Sequence, residues 1–198
     1  RAADIDERGQ RSIERVALFH DIGKLDGAIS DIVSESTRLS AAERTAIMTH
    51  PAKGAEVLGP LAWFYPDLPA GVIAHHERWD GTGYPNRLKG DEIPITARIV
   101  MIADTFDAVT QARSYSSARS IETGVQIIAD GRGTQFDPDL ADLFLSPPVI
   151  DEVKRSMGTV QKPRRAGGKR HGAKASPGLP DITFRWRTVI HSPQGKGR

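Results

Sequence analysis

Six histidines occur in this chain, and four of them fall between residues 20 and 76. His20 is followed directly by Asp21, His50 precedes a proline, and His75 and His76 are adjacent. Asp104 stands in Ile-Ala-Asp, inside an otherwise apolar stretch. Taken singly, each has an ordinary structural explanation: a hydrogen-bonded core histidine, or an aspartate that caps or pairs. Taken together they offer four imidazoles and two carboxylates in a chain without cysteine. That is a nitrogen and oxygen donor set, suited to Fe, Mn, Zn, Ni or Co rather than to a thiolate site. Asp21 is placed to bridge two ions, because one carboxylate can give an oxygen to each. Lys24 lies one helical turn from His20 and Asp21 and on its own reads as a solvated helix-end cation.

These residues need rigid elements to bring them together, and the sequence predicts helices. Ile13, Val16, Ala17 and Phe19 lie at helical spacing and run into His20-Asp21. Ser40-Ala-Ala-Glu43 is a capping box that opens a helix through Ile47, His50, Gly54, Val57 and Leu58. Pro69 suits the first turn of a helix carrying Val72, Ile73 and His76. Residues 79–90 form a loop rich in glycine and proline. After Pro94, the residues Ile99, Val100, Ile102, Ala103 and Phe106 make a strongly apolar helix. Ile121, Val125 and Ile128 make another that ends at Gly131, and Asp137-Pro138 caps a short one with Leu140, Leu143 and Phe144. No period-2 strand and no internal repeat stand out. The expected fold class is all-α.

The chain has 198 residues, of which 38% are hydrophobic and 26% charged. That suffices for one core and hardly for a core spanning the whole length. No run approaches the 18 or so uncharged apolar residues of a membrane span, and no signal-peptide pattern opens the chain. The absence of cysteine excludes disulfides, Cys-ligated zinc and thiol catalysis, and it fits a cytoplasmic setting. The first residue is Arg1, which reads as a fragment or a processed product. The net charge of +2 hides a split. Residues 1–145 carry 15 basic and 22 acidic side chains, a balance of −7, whereas residues 146–198 carry 12 and 3, a balance of +9. A boundary is therefore expected at 145/146, between an acidic body and a basic tail rich in Gly and Pro that is expected to be disordered. A solvated tail is the favoured reading of that charge, ahead of nucleic-acid binding.

At this point the chain resembles a known family. His20-Asp21-Ile-Gly-Lys24 is similar to the HD signature of metal-dependent phosphohydrolases. The run from His75-His76-Glu77 to Gly83-Tyr84-Pro85 resembles the second signature of the HD-GYP subfamily. His50-Pro-x-x-Gly54, Ile93-Pro94, Ala97-Arg98-Ile99, Ala103-Asp104-x-Phe-Asp107 and Arg113-x-Tyr115 follow in the family order. The match runs from about Glu14 to about Leu145. It implies an all-α, HD-superfamily helical bundle that hydrolyses the bacterial second messenger cyclic di-GMP to the linear dinucleotide pGpG, to GMP, or to both. It implies two or three divalent ions, Fe or Mn. By the same resemblance His20, Asp21, His50, His75, His76 and Asp104 match the metal ligands, with Asp21 as the bridge. His50, His75 and His76 would surround one ion, and His20 and Asp104 would hold the other. Asp21 and Lys24 are implied in catalysis; Lys24, Tyr84 and Arg113 match substrate-contacting positions; Glu77 and Asp107 are implied as partners that orient ligand side chains. An upstream sensory or receiver domain and GGDEF-type proteins are the partners such a domain implies. The chemistry is coherent: paired ions ionise a water at neutral pH and neutralise phosphate oxygens, and fixed cations add charge where it develops.

The sequence departs from the family pattern in three places. Only nineteen residues precede His20, none of them His; against the family pattern the chain is therefore expected to lack a further ligand-bearing helix, and one ion position to lose a ligand. The segment from Leu25 to Asp31 is irregular against the family, and Glu35 falls near a position where the family has Lys. The run Arg113-Ser-Tyr115-Ser116 lacks its second base. These departures leave room for an alternative, a truncated or degenerate domain that binds cyclic di-GMP or a protein partner without turnover.

Overall fold

The apolar run after Pro94 forms the longest helix of a computed structural model, which describes residues 5–35, 39–111 and 120–160. In chain order the helices are α1 (Glu7–Phe19), α2 (Gly27–Glu35), α3 (Ala41–Ile47), α4 (His50–Leu58), α5 (Asp67–Ala74), α6 (Ile95–Thr110), α7 (Ile121–Asp130), α8 (Pro138–Phe144) and α9 (Pro147–Val160). One-turn 3-10 helices occupy Ile22–Leu25, Gly59–Leu61 and Gly90–Glu92. Among the described residues there is no strand, only an isolated bridge between Arg132 and Phe136. The all-α expectation holds.

Helix α6 is buried along most of its length, and α1, α5, α7 and α8 pack on it. Its Ile99, Val100, Ile102 and Phe106 meet Ile13, Val16 and Ala17 of α1, Leu68 and Val72 of α5, Ile128 of α7 and Phe144 of α8 in one core. Burying such side chains stabilises the fold by roughly 1.5–3 kcal/mol each, before conformational entropy is subtracted. Ser40 caps α3 as the sequence predicts, with the reciprocal Ser40 and Glu43 bonds of a capping box. The helix expected from Ser40 to Leu58, however, is two. Helix α3 stops at Ile47, and α4 restarts at His50 with Pro51 in its first turn, where the missing N–H of proline costs nothing. The stretch after Lys24, irregular in sequence, holds α2.

A helix follows the boundary expected at 145/146. Pro147 and Pro148 open α9, whose Val149, Val153 and Met157 join the core. These three recur every fourth residue, one stripe of a helix. Residues 147–160 of the tail expected from Ser146 are thus helical, and residues 161–198 lie outside the described residues, as do 112–119 with Arg113.

Candidate metal centre

Three helices end at the same place. Each has last-turn carbonyls with no partner further along its own backbone, and each gives one of them to a histidine. The His20 ring donates from Nδ1 to the Ala17 carbonyl (2.8 Å) just beyond α1. His50 donates to Ile47 of α3 (2.7 Å), and His75 to Val72 of α5 (2.6 Å). A carbonyl only accepts, so Nδ1 carries the hydrogen in all three rings. The other nitrogen, Nε2, is left to face the centre.

The 3-10 turn Ile22–Leu25 brings Asp21 and Lys24 to the same point. It lies against α4 so closely that a Cβ on Gly23 would sit 2.0 Å from the His50 carbonyl oxygen. Only glycine fits there, which places Asp21 beside His50. Asp21 Oδ1 is 3.2 Å from His50 Nε2 and 3.9 Å from His75 Nε2. Its Oδ2 is 3.5 Å from His20 Nε2 and 2.7 Å from Lys24 Nζ. Asp104, midway along α6, completes that side at 3.8 Å from His20. Helix α5 ends at Ala74, so His75 and His76 leave the helical path and converge, with ring centroids 4.1 Å apart. One ligating atom each from His50, His75 and His76 falls within 4.8 Å of the others.

The donor set fits a cation. His50 Nε2 and His75 Nε2 lie 3.2 Å apart, with Nδ1 of each ring spent on a carbonyl. Asp21 Oδ1, buried beside them, has no hydrogen-bond partner among the described residues. Buried acceptors facing one another call for positive charge between them. Burial, together with the neighbouring histidines, holds the His75 pKa well below the ordinary value. Burial and His50 bring His76 down to about 4. Both rings are neutral at neutral pH, as ligands must be. Burial opposes the charge on Asp104, yet His20 outweighs it and holds that carboxyl at about 2. Burial likewise opposes charge on Asp21, but His50, His20 and Lys24 keep it ionised. His20 is raised: burial works against its charge, and Asp104 and Asp21 prevail.

The Gly-Tyr-Pro loop folds back over His76. A Cβ on Gly83 would lie 2.3 Å from the Arg78 nitrogen and 2.6 Å from the Glu77 Cα. Tyr84 donates its N–H to the His76 carbonyl (3.3 Å) and lays its ring on the His76 ring, 4.9 Å between centroids and 22° from parallel. Burial, then Asp104 and Asp21, push the Tyr84 phenol upward, so it stays protonated. Glu77 anchors this loop. It is 2% exposed, and its two carboxylate oxygens accept the backbone N–H groups of Asn86 (2.6 Å) and Leu88 (3.1 Å) rather than a histidine. Asp107, one turn beyond Asp104, accepts from the Gln111 amide.

Sequence reasoning missed the backbone half of this centre: the carbonyls of Ala17, Ile47 and Val72, and the packing of Gly23 on α4. The signal available was positional, since each of the three histidines stands three residues after its carbonyl, at a helix end.

The HD domain family model matches residues 1–140. A cyclic di-GMP phosphodiesterase of Vibrio cholerae is 35% identical over 136 residues, 66% of this chain and 27% of that protein. A 3′3′-cGAMP-specific phosphodiesterase 2 of the same organism is 38% identical over 67% of this chain and 26% of that protein. A cyclic di-GMP phosphodiesterase of Thermotoga maritima is 32% identical over 86% and 46%. The chain thus spans between about a quarter and a half of the length of these relatives. A crystal structure of cyclic GMP-AMP specific phosphodiesterases in V. cholerae shares the fold, with a TM-score of 0.56 at 22% identity, covering 96% of this chain and 45% of that one. With His20-Asp21 and His75-His76-Glu77 folded onto one centre and the family model running through both, the chain belongs to the HD domain family, as a member of HD-GYP type.

Proposed function

We propose that the chain is a metal-dependent phosphodiesterase that hydrolyses cyclic di-GMP to pGpG, GMP or both. The observation that supports this most is that His50, His75 and His76 each bring a ring nitrogen within 4.8 Å of the others, with Asp21 Oδ1 3.2 Å from His50 and 3.9 Å from His75. His50, His75 and His76 would hold one ion, His20 and Asp104 the other, with Asp21 between them. Two divalent ions are the minimum this arrangement serves, and Fe or Mn is the pair to test first. Bound there, divalent ions supply a water ionised at neutral pH and neutralise phosphate oxygens.

The remaining roles fall to side chains. Water adds to one ring phosphorus, the bond to the ribose oxygen breaks, and the proton lost by the water ends on that oxygen. Lys24, 2.7 Å from Asp21, places an ammonium where it can stabilise the leaving oxygen. Tyr84, protonated at neutral pH, donates a hydrogen bond to a phosphate or guanine at the mouth of the centre. Arg113 is proposed for the same substrate, and Asp107 for support of the α6 side of the centre. The unit that carries this activity runs through α9, to about residue 160. Upstream sensory or receiver domains and GGDEF-type proteins are its proposed partners, in a cytoplasmic setting. Among the described residues no helix is long and apolar enough to cross a membrane.

Relatives named for 3′3′-cGAMP at 34–39% identity favour a second reading, in which the substrate is that mixed cyclic dinucleotide. One experiment treats both. The chain is loaded anaerobically with Fe(II) or with Mn(II) and given each cyclic dinucleotide, with His76→Ala as control. Linear dinucleotide or GMP from the wild-type chain alone supports the proposal, and the faster substrate identifies the specificity. Ligand binding without product by the wild-type chain would establish the binding-module alternative.

A further inference from the structure

The four histidines of the centre are not held alike. His20, His50 and His75 are each locked by a hydrogen bond from Nδ1 to a helix-end carbonyl. Ring orientation and tautomer are thereby fixed, as ligand histidines require. No such bond to the His76 ring is found among the described residues. Its ring is instead covered by the Tyr84 ring at 4.9 Å. Tyr84 is carried by a loop that is not a helix or strand and must be pinned some other way.

The pin is Glu77. Its carboxylate is almost fully buried, at 2% exposure, and both oxygens are spent on the loop, one on the Asn86 N–H and one on the Leu88 N–H. A carboxylate taking two backbone N–H groups makes short, strong, directional bonds. A buried carboxylate would be costly without them. The loop between these anchor points is Tyr84-Pro85-Asn86-Arg87-Leu88, and it returns over residues 76–78 so tightly that Gly83 has no room for a Cβ. Glu77 therefore joins the residue after His76 to both sides of Arg87 and closes the loop on the imidazole.

We infer that Glu77 is a positioning residue for His76, acting through the loop and the face of Tyr84 rather than by touching a ligand. Tyr84 accordingly has a use for its ring separate from any use of its hydroxyl. This rests on the reading that His50, His75 and His76 hold an ion.

The test uses Co(II) as the probe, titrated into the metal-free full chain and followed by its visible absorption. Wild type is compared with Glu77→Gln, Tyr84→Leu, Tyr84→Phe and the double variant E77Q/Y84L. Glu77→Gln and Tyr84→Leu are each expected to weaken Co(II) binding about tenfold to a hundredfold, the range for lost support of a ligand. Tyr84→Phe, which keeps the ring, is expected to bind within about twofold of wild type. The double variant is expected to fall little below either single one, because both changes release the same ring. Co(II) affinity of Glu77→Gln equal to wild type would overturn the inference. So would full additivity, or a Tyr84→Phe as weak as Tyr84→Leu. If far-ultraviolet circular dichroism shows Glu77→Gln unfolded, the Leu and Phe variants at Tyr84 decide alone. A wild-type chain that takes up no Co(II) would instead defeat the metal reading beneath it, a distinct outcome.

Discussion

His75 and His76 are neighbours in sequence and in space, yet the protein supports them by different means. His75 sits where α5 stops, 1% exposed, with its ring bonded to a carbonyl of its own helix. His76 is one residue further, off the helix, under a loop. The first kind of support is local and forms with the helix. The second depends on residues 77–88 closing correctly, and on a buried carboxylate. A centre built on helix ends thus has three histidines as rigid as its fold and a fourth as rigid as one loop. The same contrast appears in the carboxylates, since Asp104 is carried within α6 and Asp21 on a single 3-10 turn.

The largest expected effect comes from the residue that serves both halves of the centre. Asp21→Ala should lower cyclic dinucleotide turnover by about a thousandfold or more, the rate equivalent of several kcal/mol of lost charge stabilisation. Retained turnover at one tenth of wild type would show that one half of the centre works alone. Next come the two adjacent histidines. His75→Ala opens a cavity and strands a buried carbonyl, so it should destabilise the metal-free chain by about 2 kcal/mol more than His76→Ala, which breaks no hydrogen bond. Both should lose metal. Thermal unfolding of the two metal-free variants measures the difference, and equal melting temperatures would erase the distinction between helix-held and loop-held ligands.

How much of this was legible in the sequence follows from the same distinction. The residues proposed as ligands stand in short motifs with chemical side chains, and the structure places them near one another. The helices that bear them announce themselves by apolar spacing and by Ser40. What supports the ligands was not legible, because backbone carbonyls and N–H groups leave no trace in residue types. Glu77 was expected at a histidine for its proximity in sequence; its true partners, two peptide N–H groups nine and eleven residues on, have no signature. Helix α9 was hidden for another reason. Pro147 and Pro148 open this helix, since proline is at ease in a first helical turn. The charge of residues 161–198 then dominated the sum over the whole tail. Val149, Val153 and Met157 stand at helical spacing, a signal that a boundary drawn from charge takes no account of.

That stripe gives a prediction outside the centre. Met157→Ala should cost about 2 kcal/mol, as core methionine truncations do, while metal content and turnover of the folded chain stay unchanged. Chemical denaturation measures it. A chain ending at residue 160 should match the full chain in both stability and turnover, whereas one ending at residue 150 should be destabilised. Equal stability of the two truncated chains would return the boundary to 145/146.

The smallest expected effect separates two ways of holding the Asp21 turn. Lys53 of α4 pairs with Asp26 just beyond that turn at 2.9 Å, with both side chains 39% exposed. Solvent screens such a pair, and exposed ion pairs contribute at most about 1 kcal/mol. The close packing of Gly23 on the His50 backbone is buried and leaves no slack. Lys53→Ala should therefore shift the melting temperature by no more than a few degrees and leave turnover within about twofold of wild type. Gly23→Ala should abolish metal uptake, because a methyl group 2.0 Å from a carbonyl oxygen forces the turn and Asp21 away from His50. If Lys53→Ala loses as much metal as Gly23→Ala, the ion pair and not backbone contact sets the position of the carboxylate. The bridge between the two halves of the centre would then be as salt-sensitive as any surface charge.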